Sequence, residues 1–157
     1  MGFFGVRIRD ERKLFDRILR QMRALDRTNI EAGYFEGRDH PSGQPSANLA
    51  AIHEWGAPSA HIPSRPTIRP AFDEKREENI RELQNGLFNA VVTAQPAVSI
   101  MRKFGAARAK DIQLKITSNV PPPLKAATIL AKGSTKTLID TGAMRAAVSH
   151  RIVKAGS

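Results

Sequence analysis

Apolar positions along this chain follow two periods, and the places where the period changes outline its elements. Leu14, Phe15, Ile18, Leu19, Met22 and Leu25 fall on one arc at about 100° per residue, which predicts a helix from Asp10 to about Asp26. Arg12, Lys13, Arg17, Arg20 and Arg23 fall on the opposite arc. Ahead of it, Phe4, Val6 and Ile8 alternate with Gly5, Arg7 and Arg9, the pattern of a short half-buried strand. Thr28 to Phe35 predicts a second strand with Ile30, Ala32 and Tyr34 on one face. Residues 37–45 collect Gly, Pro, Ser, Asp and His and predict an exposed loop. Ser46 is placed to cap a short helix from Ala47 to Trp55, stopped by Gly56 and Pro58.

The segment Ile62-Pro63-Ser64-Arg65-Pro66-Thr67-Ile68-Arg69-Pro70-Ala71-Phe72 breaks both periods. Each proline fixes its own φ and biases the residue before it toward an extended conformation. The segment is therefore a stiff lead-in to a helix, with Arg65 and Arg69 neighbours on it if the helix has already begun. A long helix is predicted from Pro70 to Ala94, with Phe72, Ile80, Leu83, Leu87, Val91 and Ala94 as its apolar stripe. Asp73, Glu74, Glu77 and Glu78 crowd its first turns, where the helix dipole favours carboxylates. Pro96 suits the first turn of another helix reaching about Ile116; Ala97, Met101, Phe104, Ile112 and Ile116 face one way, and Arg108 interrupts them. Pro121-Pro122-Pro123 is a rigid spacer, and Leu124 to Leu130 a short helical piece. Ala143 to Ala147 predicts a helical turn, and Val148, His150 and Ile152 a last strand. The expected fold is α+β: long amphipathic helices packed on a small, mostly antiparallel β-sheet.

The length of 157 residues suits a single domain, with residues 1–28 as an N-terminal strand and arginine-rich helix, 29–157 as the core, and loops near 37–46 and 131–137. An apolar content of 41% supports a modest core, and no apolar run is long enough to span a membrane. The first residues become charged too early for a secretory signal, and Val6 stands where a myristoylation signal wants Ser or Thr. The absence of cysteine excludes disulfides, thiolate-bound zinc and thiol catalysis, and suits a reducing cytoplasm. The net charge of +10 is uneven: residues 1–94 carry 14 basic and 13 acidic side chains, residues 95–157 carry 11 basic ones against Asp111 and Asp140. A basic half implies a polyanionic neighbour, whether nucleic acid, membrane surface or acidic protein.

Few residues offer chemistry. Ile139-Asp140-Thr141-Gly142 has the aspartic-protease fingerprint, but no second Asp-Thr-Gly exists to supply the partner aspartate. Capping of the next helical turn by Asp140 or Thr141, with Gly142 relieving strain, is the simpler reading. His53-Glu54 begins a zinc-protease motif, but Ala57 stands where the second histidine belongs. Ala131 to Thr137 resembles a phosphate loop in composition only. No catalytic, metal or cofactor site is expected. The arginine face of the first helix (Arg12, Arg17, Arg20, Arg23) is suited to phosphate contact. One Trp and one Tyr are too few for single-strand stacking.

Three pieces in order carry a family resemblance. Ala32-Gly33-Tyr34-Phe35 is followed by Leu49-Ala50-Ala51-Ile52-His53-Glu54-Trp55-Gly56; next comes Ile62-Pro63-Ser64-Arg65-Pro66 through Arg69-Pro70-Ala71-Phe72; last come Pro123-Leu124, Thr128, Lys132-Gly133 and Leu138-Ile139-Asp140-Thr141-Gly142-Ala143-Met144-Arg145. Over residues 29–153 the series resembles the tail-completion and neck (head–tail joining, virion morphogenesis) proteins of tailed double-stranded DNA phages. Thr67 and Trp55 stand where that family often has Phe.

The resemblance implies a non-enzymatic α+β subunit of a ring, commonly six-fold, in the virion neck, assembled in the host cytoplasm. It implies as partners other copies of the chain, neighbouring connector, head-closure, tail-terminator or tail-tube proteins, and double-stranded DNA passing through the lumen, with no membrane. Head-to-tail rings need two different complementary faces. Trp55, Arg65, Pro66, Arg69, Pro70 and Asp140 are the expected interface residues, with Arg65 and Arg69 offered to a neighbour's carboxylates and the acidic start of the long helix supplying them. The alternative expectation, from charge alone, is a basic DNA-binding accessory protein.

Overall fold

The computed structural model describes residues 8–37, 40–139 and 141–154. Their order is α1 (Ile8–Asp26), β1 (Thr28–Tyr34), α2 (Ser46–Trp55), a single 3-10 turn at Pro58–Ala60, α3 (Ile68–Asp73), α4 (Arg76–Thr93), α5 (Ala97–Thr117), α6 (Ala126–Lys132), α7 (Ala143–Ala147) and β2 (Val148–Lys154). The fold is α+β, and among the described residues it is mostly helical with one two-stranded antiparallel sheet. β1 pairs with β2 from Thr28 opposite Lys154 to Tyr34 opposite Val148. The chain's early and late segments therefore meet in one hairpin-like ladder, and α5 covers one face of it.

α5 is the central beam. Ala109, Ile112 and Ile116 form the core with Ala71, Val120, Leu138 and Val148, and Ala32, Tyr34, Ile68, Phe72 and Ile139 pack against it. The helix comes close to the sheet at Gly105, where an added Cβ would lie 2.8 Å from Ile30 Cγ2 and 2.9 Å from His150 Cδ2. Glycine has no side chain to hold the two layers apart at this point.

Arg108 interrupts the expected apolar face of α5 yet is buried. Its guanidinium donates to Asn79 Oδ1 and, at 2.9 Å, to Glu82 Oε2. Nε stands 3.0 Å from Asp111 Oδ2 as an ion pair, and the Phe104 ring lies 4.6 Å from the guanidinium carbon. A buried charge is tolerated when it is paired in this way.

The helix expected over 70–94 is two helices. The chain leaves helical geometry at Lys75 (φ −115, ψ 16), whose ammonium reaches 2.7 Å to Asp111 Oδ1 on α5. Asn79 and Ala90 are the buried residues of α4, with Leu83, Leu87 and Val91 half-buried beside them, and Asn79 accepts from Arg108. Ile80, expected in the stripe, is 43% exposed, and Ala94 closes the helix in a left-handed conformation on the surface. Glu77 and Glu78 do lie in the first turn of α4.

Smaller corrections have equally local causes. Ser46 is the buried first residue of α2, not its cap; Pro45 stands outside the helix and its carbonyl accepts from Asn48 and Leu49. Pro96 precedes α5 as the capping residue. α6 runs two residues past the expected end, to Lys132, and Gly133 closes it at φ 67, so the loop expected from 131 begins there. Ile8 opens α1 instead of ending a strand; the rest of that expected strand lies outside the described residues.

α1 is tied to the body by Gln21, whose amide donates to Gln95 O at 3.0 Å and accepts from Ala97 N at 2.8 Å. One side chain thus satisfies two backbone groups at the α4–α5 corner. Only part of the predicted apolar arc is covered: Ile18, Leu19 and Leu25 are half-buried, while Leu14, Phe15 and Met22 face solvent. Among the described residues no helix is long and apolar enough to cross a membrane.

Candidate subunit interface

The proline–arginine segment is built on the end of α2. Gly56 takes φ 78, and a Cβ there would stand 2.8 Å from Ser64 N, so the returning chain can pass only because the side chain is missing. Ala57 and Ile62 exchange backbone hydrogen bonds of 2.9 and 3.1 Å, closing a tight loop with His61 at φ 56. The chain then runs back along α2: Ser64 Oγ donates to Glu54 O at 2.8 Å, and Arg65 N donates to His53 O at 2.6 Å.

Glu54 is the hub of this corner. It is buried, and its carboxylate accepts from the backbone N–H groups of Thr67 (2.7 Å), Ile68 (3.0 Å) and Arg69 (3.0 Å). These are the donors at the start of α3 that no helical carbonyl can satisfy. A side chain thirteen residues upstream does the work of a cap, and α3 has no side-chain cap of its own. The burial of Tyr34, and then the nearby Glu54 charge, push the Tyr34 phenol far above its usual range. Burial lowers the His53 pKa, and the charges of Arg65 and Lys132 lower it further.

Arg65 is not offered outward. It is 6% exposed, and its guanidinium donates to Pro122 O at 2.9 Å and, weakly at 3.5 Å, to Pro123 O. Proline carbonyls in a rigid spacer point where the chain dictates, and a flat guanidinium fork bridges two of them. Nor is it a helical neighbour of Arg69, since α3 begins only at Ile68. Arg69 is exposed, and Pro66 and Pro70 are half-buried beside it.

The Arg65 clamp holds residues 55–65 against residues 122–128, and between them lies an open cleft of about 940 Å³. Its walls include Trp55, Pro58, Pro63, Pro122, Pro123 and Leu124. Trp55 is 69% exposed and stands at this cleft, while Asp140 lies outside the described residues. On α1, Arg12, Arg20 and Arg23 are exposed and Arg17 is half-buried. The structure therefore brings Trp55 and Arg65 to one cleft and leaves the arginine face of α1 on a separate element.

The enzyme-like motifs do not assemble. Glu54 uses both carboxylate oxygens on amides, so His53-Glu54 offers no free ligand pair. Among the described residues there is no group of three or more His, Asp or Glu able to hold a metal ion. Thr141 Oγ1 accepts from Ala143 N at 3.2 Å, and Gly142 stands at φ 80 before α7, so these two residues form the turn into that helix. Sequence reasoning missed Glu54 as a cap and Gln21 as a bracket, because both act across long stretches of chain. The misplaced charge of Arg108 was the one visible sign of the buried network. Compared with protein-family models, curated proteins and solved structures, the chain matches none.

Proposed function

We propose that this chain is a structural, non-enzymatic subunit of the neck or tail end of a tailed double-stranded DNA phage. In this reading copies form a ring, six-fold in the arrangement the resemblance implies, that completes the tail and joins it to the filled head. The observation that carries it is the stiff proline–arginine corner, clamped from within by Glu54 and Arg65 and bordered by an open cleft with exposed Trp55. A pre-ordered surface loses little freedom on binding, which suits a part that must seat once and stay. Exposed Phe15, Met22, Phe88 and Val92 add apolar surface of the kind that protein contacts cover. The basic excess of residues 95–157 suits DNA in a lumen or an acidic neighbouring ring. Connector, head-closure, terminator and tube proteins are the partner class, and the virion neck is the location.

Quantitative mass spectrometry of purified particles tests this reading. A small fixed copy number per virion is expected; absence from particles would contradict it. A DNA-binding accessory protein is the second reading, favoured by exposed Arg12, Arg20 and Arg23 on α1. It requires duplex binding that falls steeply as salt rises.

A further inference from the structure

We propose that the cavity between α2, the end of α6 and the turn into α7 is a binding site for a phosphate-class oxyanion. The inference goes beyond the neck reading and does not depend on it. The cavity holds about 250 Å³, and its walls include His40, His53, Lys132, Thr137 and Thr141. These residues come from the loop before α2, from α2 itself, from the last residue of α6 and from the segment that leads into α7. Among the described residues no carboxylate lines it.

The bonds already made within the chain leave hydrogen-bond donors over. His40 Nδ1 accepts from Ser42 N at 3.2 Å, so the ring hydrogen sits on Nε2. Lys132 Nζ gives one hydrogen to Lys136 O at 2.9 Å and keeps the others. Thr141 Oγ1 accepts from Ala143 N, which leaves its O–H to donate. Thr137 is 6% exposed, and neither its Oγ1 nor the buried His53 Nδ1 has a partner among the described residues. Buried polar atoms are almost always paired, and two orphans in the wall of one cavity mark a place built for a polar occupant.

The sign of the field selects that occupant. Arg65 and Lys132 both donate to backbone carbonyls, so these bonds bring no counter-charge. Both act on His53 as positive neighbours, and burial adds to their effect in keeping the ring neutral. A positive cavity attracts an anion and disfavours a metal cation. A carboxylate offers its oxygens in one plane, whereas a tetrahedral phosphate offers them on every side, which suits donors that arrive from several segments.

Inorganic phosphate is titrated into the purified full chain while the histidine ring nitrogens are followed by NMR. The chain has four histidines. His61 in the Trp55 cleft and His150 beside Gly105 lie elsewhere and serve as internal controls. Saturable shifts at His40 and His53 alone are expected, half-complete at about 1 mM or below. Lys132→Gln should weaken binding about tenfold, the effect of one charge-assisted hydrogen bond, and Lys132→Arg should restore most of it. His40→Ala repeats the test from a separate segment, with thermal melts to show that each variant is folded. Arg20→Ala with Arg23→Ala on α1 should leave binding unchanged. A short DNA duplex separates the two sources of phosphate. Displacement of phosphate with shifts at the same two rings would assign the site to nucleic-acid phosphate, and no displacement to free phosphate. No saturation by about 10 mM, shifts spread over all four rings, or equal loss in the α1 variant would overturn the site and leave the neck reading standing.

Discussion

Glu54 Oε2 lies 2.7 Å from the backbone nitrogen of Thr67, and this bond joins the end of α2 to the start of α3. With the bonds to Ile68 and Arg69 it leaves three buried or half-buried amides dependent on one carboxylate. Glu54→Ala should lower stability by about 2–3 kcal/mol, the range for a lost cap plus orphaned donors. Glu54→Gln should cost at least about 1 kcal/mol, because its NH2 group would face an N–H donor. Urea denaturation measures both, and an unchanged midpoint for either would contradict the capping role.

Arg65 and Arg69 should separate cleanly. Arg65→Ala removes the donor to Pro122 O and should destabilise by about 1–3 kcal/mol. Arg69→Ala removes an exposed side chain and should stay within about 0.5 kcal/mol of the parent. Thermal melts distinguish them, and equal effects would contradict the internal clamp. Loss of assembly in an Arg65 variant is therefore no measure of an interface, whereas loss in an Arg69 variant is.

Gly105→Ala should be poorly tolerated. Its Cβ would meet Ile30 and His150 at under 3.0 Å, and overpacking of this kind costs about 1–3 kcal/mol. A melting temperature equal to the parent's would show that α5 and the sheet are not so closely apposed.

His53 gives a pH signature. Burial, then Arg65 and Lys132, lower its folded pKa below the ordinary 6.5. The unfolded chain then binds the proton more readily than the folded one. Between 6.5 and the lowered folded value, stability falls as pH falls; above 6.5 the ring is neutral in both states and contributes no slope. Urea midpoints of the parent should therefore drop more on acidification below about pH 6.5 than those of His53→Gln. Identical slopes would contradict the burial of a neutral imidazole.

Much of the fold was legible because its elements are local. The period of Leu14 to Leu25 gave α1, the alternation at Ile30 to Tyr34 gave β1, and Gly56 with Pro58 marked the end of α2. What escaped was long-range. At the break, Lys75 reaches Asp111, 36 residues away on α5, and Arg65 turns inward to the carbonyl of Pro122. Charge patterning alone reads any arginine beside prolines as surface, since its buried acceptor is a backbone group with no sequence signature. For the same reason the cleft beside Trp55, whose second wall comes from residues 122–128, had no sequence signature.

The central claim is that this chain joins tail to head. Electron microscopy of a lysate from a phage carrying an early stop codon in this gene tests it most directly. The account predicts DNA-filled heads beside unattached tails, and tail length then separates completion from termination. Normal infectious particles would contradict it.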